Sequence, residues 1–234
     1  MSNTIANNQS NFYYITVATK PHQVLNNIIE HASKNQDESV IVLGLEENRF
    51  IGWEGTGNFG IKLREVANFM KRAELSDNDI VLFTDAYDVA YLGNNANIIR
   101  RYLTFTKPII FGAERYCNPD PELADKYPNT DTEFPFLNSG LFIGRVWAIR
   151  KCFEQYEYDD KQDDQRYWTD QFLNKHRDLI GLDYDNLLFL NTVGIDMRFY
   201  SQTPKNHVTY KYHNPLFVHV NGPDKSLILS FLNQ

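Results

Sequence analysis

Residues 80–89, IVLFTDAYDV, constrain the fold of this chain more than any other segment. Val81, Leu82 and Phe83 are consecutive apolar residues without alternation, the pattern of a strand covered on both faces in a mostly parallel sheet. Such a sheet implies flanking helices and right-handed crossovers. The run then ends in two carboxylates, Asp85 and Asp88. Packing does not call for acid there, whereas ligands of open α/β sheets bind outside the carboxyl ends of the strands. Two carboxylates at this spacing suit a hard divalent cation. The plainer alternative is that they cap a turn or a helix.

The surrounding chain alternates in the same sense. Strands are predicted at 12–19, 39–45, 79–84, 108–113 and 136–145, with helices at 21–33, 61–74, 94–105, 146–156 and from about 165 to 174. Residues 46–60 form a glycine-bearing loop, GWEGTGNFG at its core. Residues 115–135 hold Pro119, Pro121, Pro128 and Pro135 and cannot form a long regular element. Residues 187–190 and 215–220 read as short late strands. Residues 1–11 read as a disordered tail, and 12–234 as one domain.

Composition narrows the function. The chain has 234 residues, 42% of them hydrophobic, enough for a sizeable core. A formal charge of −7 argues against nucleic acid as a partner. The 14 Tyr and 16 Phe suit a carbohydrate or nucleoside cleft, but a large core is the first reading. Cys117 and Cys152 make no metal-type pair, and free thiols are expected. The polar start MSNTIANNQSNF has no apolar core of a signal peptide, and no run approaches a membrane span. The expectation is a soluble protein of a reducing compartment, cytoplasmic or in a viral setting in the host cytoplasm.

Five constellations stand out. Asp85 and Asp88 are candidate ligands, one or both, of a divalent cation that would bridge the two phosphates of a sugar nucleotide. His219, on the face of a late strand, can complete the metal shell or be a satisfied core histidine. The turn 159–165 holds Asp159, Asp160, Asp163, Asp164 and Gln165. They can cap a helix, or Asp163 and Asp164 can position an acceptor hydroxyl or amine. Asn138 and Ser139, in LNSG, suggest close backbone approach to a ligand or else a bulge. Trp53 and Lys62 flank the glycine loop, where Trp53 can stack on a base and Lys62 can meet a phosphate.

Seven segments, in order, resemble the glycosyltransferase domain of the procollagen lysyl hydroxylases and related collagen glycosyltransferases: VLGLEE, WEGTGNFGIKLREV, IVLFTDAYDV, AERYCNPDPELADKYP, FLNSGLFIG, YEYDDKQDDQ and FVHVNGPDKSLILSFL. The resemblance implies a GT-A glycosyltransferase fold that uses Mn2+ and a UDP-sugar. It places Asp85, Asp88 and His219 on the metal, and Asn221, Gly222 and Lys225 beside the diphosphate. Tyr87 and the Trp53 loop fall near the uridine, Asn138 and Ser139 at the donor sugar, and Asp163 and Asp164 at the transferred sugar and acceptor.

The implied reaction is transfer of a hexose to hydroxylysine of collagen or a collagen-like protein, with UDP-glucose the favoured donor and galactosylhydroxylysine the acceptor. Galactose transfer from UDP-galactose to bare hydroxylysine, a non-catalytic UDP-sugar or collagen-binding module, and a metal phosphohydrolase are the alternatives. Two departures bear on specificity. Lys161 and Gln162 interrupt an acidic stretch that is commonly unbroken in the family, and Asn118 stands where the family usually has tryptophan. No iron-binding HxD…H set accompanies the segments, so lysine hydroxylation is not expected. Oligomeric state is not legible.

Overall fold

The run at 80–89 does form the centre of the molecule. In the computed structural model, which describes residues 10–37, 39–51, 57–205 and 207–232, the strands and helices follow one another in the alternating order that the sequence suggests. They are β1 (Phe12–Val17), α1 (Gln23–Lys34), β2 (Ile41–Leu43), α2 (Gly60–Met70), β3 (Ile80–Asp85), β4 (Val89–Tyr91), α3 (Asn95–Tyr102), β5 (Ile109–Glu114), β6 (Phe136–Arg145), α4 (Val146–Cys152), α5 (Asp164–Asp170), β7 (Ile180–Asp183), β8 (Phe189–Asn191), β9 (Tyr200–Gln202), β10 (Val208–Tyr210), β11 (Phe217–His219) and α6 (Ser226–Leu232).

The main sheet has six strands in the order β2-β1-β3-β6-β5-β7. β1 is parallel to β2 and β3, and β5 to β7. β6 runs antiparallel to both neighbours, β3 and β5. Its reversed direction matters for function. β6 enters the sheet at the edge where β3 and β5 leave it, so its first residues lie beside Asp85 and Glu114. The β5–β6 ladder also slips there: Phe111 pairs with Phe142, but Gly112 pairs with Asn138. Asn138–Gly140 is thus the irregular stretch expected from LNSG, and it opens on the ligand-binding edge.

A second sheet of three strands, β4-β11-β8, carries the other half of the site. β11 is antiparallel to β4, with His219 opposite Val89, and parallel to β8, with His219 opposite Asn191. The Val220 N–H donates to the Asp88 carbonyl at 2.8 Å. Register alone therefore brings the end of β11 to the Asp88 turn.

The core reading of the aromatics holds. Phe83, Phe142 and Phe111 stack across β3, β6 and β5 with centroids 5.0 Å apart, and Trp168 of α5 closes the row 4.9 Å from Phe111. Tyr14, Tyr91, Phe217 and Phe189 form another row that joins the two sheets. Each such side chain, fully withdrawn from water, contributes about 1.5–3 kcal/mol. Cys117 and Cys152 are free and buried.

Differences from the sequence reading are local. The helix predicted at 146–156 stops at Cys152, and the one after 165 passes through a wider turn, Gln171–Lys175. Strands β4, β7, β9 and β10 were not expected, being three or four residues long. Asn11, assigned to the tail, is held in place: its N–H donates to Asp79 Oδ1 at 2.8 Å. Residues 1–9 lie outside the described residues. Among the described residues no helix is long and apolar enough to cross a membrane.

Candidate active site

The carboxyl edge of the main sheet opens into a cleft of about 760 Å³. Twelve of the thirteen residues singled out from the sequence line it: Lys62, Asp85, Tyr87, Asp88, Asn138, Ser139, Asp163, Asp164, His219, Asn221, Gly222 and Lys225. Trp53 lies outside the described residues.

Asp85 ends β3, Asp88 precedes β4 and His219 ends β11. One potential ligand atom from each lies within 4.8 Å of the others. His219 Nε2 is 3.3 Å from Asp88 Oδ1 and 3.8 Å from Asp85 Oδ2. The remaining oxygens are taken by lysines: Lys62 Nζ reaches Asp85 Oδ1 at 2.8 Å, and Lys225 Nζ reaches Asp88 Oδ2 at 2.6 Å. Each acid thus gives its outer oxygen to a lysine and turns its inner oxygen towards the imidazole.

The imidazole is oriented from behind. Its Nδ1 lies 2.8 Å from Asn191 Oδ1 and 3.1 Å from Asn138 Oδ1. Both amides are fixed in that sense: Asn191 Nδ2 donates to the Ala113 carbonyl, and Asn138 Nδ2 donates to Glu114 Oε1. Two acceptor oxygens at Nδ1 require that Nδ1 carry the proton, which leaves Nε2 facing the acids. With a cation between them, Nε2 would be the ligating nitrogen and Nδ1–H would be held by its outer partners. Gly140 lies against the ring and leaves it room. Two carboxylates and an oriented imidazole fit a divalent cation such as Mn2+.

Electrostatics reinforce the cluster. Burial works against charge on both acids. Burial and the facing Asp88 push the Asp85 carboxyl up, opposed by Lys62. In Asp88 the same burial is outweighed by His219 and Lys225, which hold its carboxyl well below the usual range. Lys62 is half-buried and largely desolvated, yet Asp164 and Asp85 overcome the desolvation and push its ammonium up. Its ion pair with Asp164 Oδ2 is 2.9 Å long. Two of its three N–H donors are thus taken by these acids, and the side chain lines the cleft.

The acidic turn divides its labour. Asp159 accepts from the Lys161 N–H and Asp160 pairs with Arg49, both away from the cleft. Asp163 caps α5 by accepting from the Arg166 N–H at 3.0 Å, while its Oδ2 is buried without a hydrogen-bond partner. Asp164 accepts from Ser139 Oγ at 2.9 Å. Tyr87 is fixed by its hydroxyl, which accepts from the Thr19 and Lys20 N–H groups. Gly222 adopts a positive φ of 82°, and a side chain there would strike Val193.

Glu114 is the site residue that the sequence did not announce. It ends β5, only 3% exposed, and faces the cleft. Asn138 donates to one of its oxygens and Asn221 to the other. Burial pushes its carboxyl up to about 7. Asn191 was missed as well, and Gln165, noted only as the end of the acidic turn, has a definite place here. Gln165 accepts from the Ser139 N–H at 2.7 Å and holds the irregular stretch of β6 in place.

The family described as PLOD GT domain matches residues 8–234. The chain belongs to this glycosyltransferase-domain family. Among PLOD relatives, it is 33% identical to a multifunctional procollagen lysine hydroxylase and glycosyltransferase of Caenorhabditis elegans, over 91% of this chain and 30% of that protein. It is 31% identical to the human multifunctional procollagen lysine hydroxylase and glycosyltransferase LH3, over 83% of this chain and 27% of that protein. The chain therefore spans under a third of the length of these two relatives. A galactosyltransferase, LgtC, solved with donor and acceptor sugar analogues, superposes with a TM-score of 0.51 at 13% identity, over 91% of this chain and 88% of that one. At that identity the likeness speaks for the fold, which is GT-A.

Proposed function

We propose that this chain transfers a hexose from a UDP-sugar to hydroxylysine of collagen or a collagen-like protein, in a reaction that depends on Mn2+. UDP-glucose and galactosylhydroxylysine are the favoured donor and acceptor. The observation that carries the reading is the convergence of the inner oxygens of Asp85 and Asp88 on His219 Nε2, inside a cleft large enough for a sugar nucleotide. Membership of the PLOD family supports transfer, and the names of the relatives support a procollagen acceptor.

Asp85, Asp88 and His219 would hold the cation. When bound, it would supply Lewis-acid neutralisation of charge on a departing diphosphate. The chain's own groups do the rest. Lys225, 44% exposed at its side chain, stands at the rim beside Asp88 and adds positive charge where a diphosphate would leave. Asn221 is turned inward to Glu114 and the Val193 N–H, so it shapes the Gly222 turn. Ser139 and Asn138 face the cleft from β6 and suit sugar hydroxyls. Asp163, whose buried Oδ2 accepts no hydrogen bond and lies 3.9 Å from the Arg166 guanidinium, suits an acceptor amine or hydroxyl.

A panel of UDP-sugars, with and without Mn2+ and a galactosylhydroxylysine peptide, tests the reading. Glucose transfer that requires both Mn2+ and peptide is expected, and Asp88→Ala should abolish it while the protein stays folded. UDP release without acceptor dependence, or full turnover by Asp88→Ala, contradicts it.

A further inference from the structure

Five side chains outside the cleft close into a ring. Arg49 Nε donates to Glu47 Oε2 at 2.9 Å, and its guanidinium grips both oxygens of Asp160 at 2.7 and 2.5 Å. The Tyr158 hydroxyl donates to Asp160 Oδ1 at 2.7 Å. The Arg64 guanidinium lies 5.2 Å from the centre of the Tyr158 ring and bonds back to Glu47. None of the five lines the cleft.

The three segments they join all reach it. The residues after Arg49, Phe50 and Ile51, form one wall; α2, which bears Arg64, delivers Lys62; and the turn after Asp160 delivers Asp163 and Asp164. These segments lie far apart in sequence, Arg49 and Asp160 by 111 positions. Backbone contacts seat the same joint. The Gly60 N–H donates to the Asp160 carbonyl at 3.1 Å, and a Cβ on Gly60 would lie 1.8 Å from the Asp159 carbonyl oxygen.

We infer that the Glu47–Arg49–Asp160–Tyr158–Arg64 ring is a positioning device that sets the spacing between the Phe50 wall, Lys62 and the Asp163–Asp164 wall for sugar-nucleotide and acceptor binding. It rests, for its kinetic consequence, on the transferase reading above. A bidentate Arg–carboxylate pair gives geometric register that a single ion pair does not. Arg49 and Asp160 are about a third exposed, 34% and 37% at their side chains, so the ring is dispensable for the core. Its removal should loosen the walls without unfolding the sheet.

The test uses Asp160→Asn, the milder Arg49→Lys, which keeps charge but loses the fork, and the swap Arg49→Asp with Asp160→Arg. Three readouts are compared: the Kd of UDP with Mn2+, transfer kinetics, and amide hydrogen exchange at 59–63 and 161–166. The single variants should speed exchange in those two segments only. They should raise the UDP Kd and the acceptor KM about fivefold, the size of coupling between contacting residues, with kcat nearly unchanged. The swap should restore part of each. Faster exchange with unchanged Kd and KM would make the ring merely structural and overturn the proposal, as would unchanged exchange. If the wild type transfers no sugar while UDP affinity and exchange shift as described, the transferase reading fails and the ring stands.

Discussion

Gly140 packs so tightly against His219 that a methyl group has no place there: a Cβ would lie 2.5 Å from His219 Cε1 and 2.8 Å from Asp85 Oδ2. β6 carries a glycine here, where the imidazole and a carboxylate occupy the space a side chain would fill. Gly140→Ala must displace one of the two proposed ligands. Disturbing the support of a ligating imidazole costs about 10–100-fold in metal affinity. Titration of Mn2+ into wild type and variant by calorimetry should show a loss of that size. Equal affinities would contradict a cation site that needs both His219 and Asp85 in these positions.

Asn191 gives a second handle on the same ring. Its Oδ1 accepts from His219 Nδ1, and its own amide is locked to the Ala113 carbonyl. Asn191→Leu keeps the volume and removes an acceptor. The imidazole then keeps only the longer contact to Asn138, and the buried Ala113 carbonyl loses the Asn191 amide as donor, a loss of about 1–3 kcal/mol. Urea unfolding should register a loss of that order, and Mn2+ affinity should fall with it. A variant that loses stability but keeps its Mn2+ affinity would show that Asn191 is not needed to orient the imidazole.

What the sequence revealed follows from where the physical signal lies. β3 is covered on both faces, so its apolar run and acidic end are written in consecutive residues. α2 carries its burial at helical spacing, with Leu63, Val66, Ala67 and Met70 inward. By contrast, nothing in the alternation of β6 tells its direction, and direction is what brings Asn138 to Asp85. Strands of three residues, such as β4 and β9, are set by their partners more than by their own composition. Glu114 reads as an ordinary strand end. Its role emerges only because Asn138 and Asn221, 24 and 107 positions away, converge on it. The acidic turn was legible as a cluster but not as a division of labour, since identical aspartates meet different partners: Arg49 for Asp160, a helix end for Asp163 and Lys62 for Asp164.

Lys62 offers a stability prediction. Its ammonium sits between Asp85 and Asp164 with side-chain exposures of 12%, 21% and 8%. Removing one partner of a buried ion pair leaves charge uncompensated and costs about 3–5 kcal/mol. Lys62→Met should lower the urea unfolding free energy by about that amount. Adding Asp164→Asn should recover part of the loss, because one of the stranded carboxylates is then neutral. If the single variant is as stable as wild type, the pair contributes no net stability and Lys62 is held there for another reason.

The ring at Asp160 has its own pH signature. Hydrogen bonds from Arg49, then from Tyr158, hold the Asp160 carboxyl at about 2, below its ordinary value of 3.8, against a small opposing effect of burial. Glu47 is lowered by Arg64 and Arg49 in the same network. A carboxyl depressed in the folded state stabilises fully above its ordinary value, and that contribution is lost as pH falls towards the folded value. The urea midpoint of wild type should therefore exceed that of Asp160→Asn by a constant margin from about pH 7 to about pH 5. The margin should close between pH 3.8 and about 2. Closure already near neutral pH would point to a titrating group other than Asp160, and a margin that widens with acid would reverse the sign of the linkage and contradict the Arg49–Asp160 pairing.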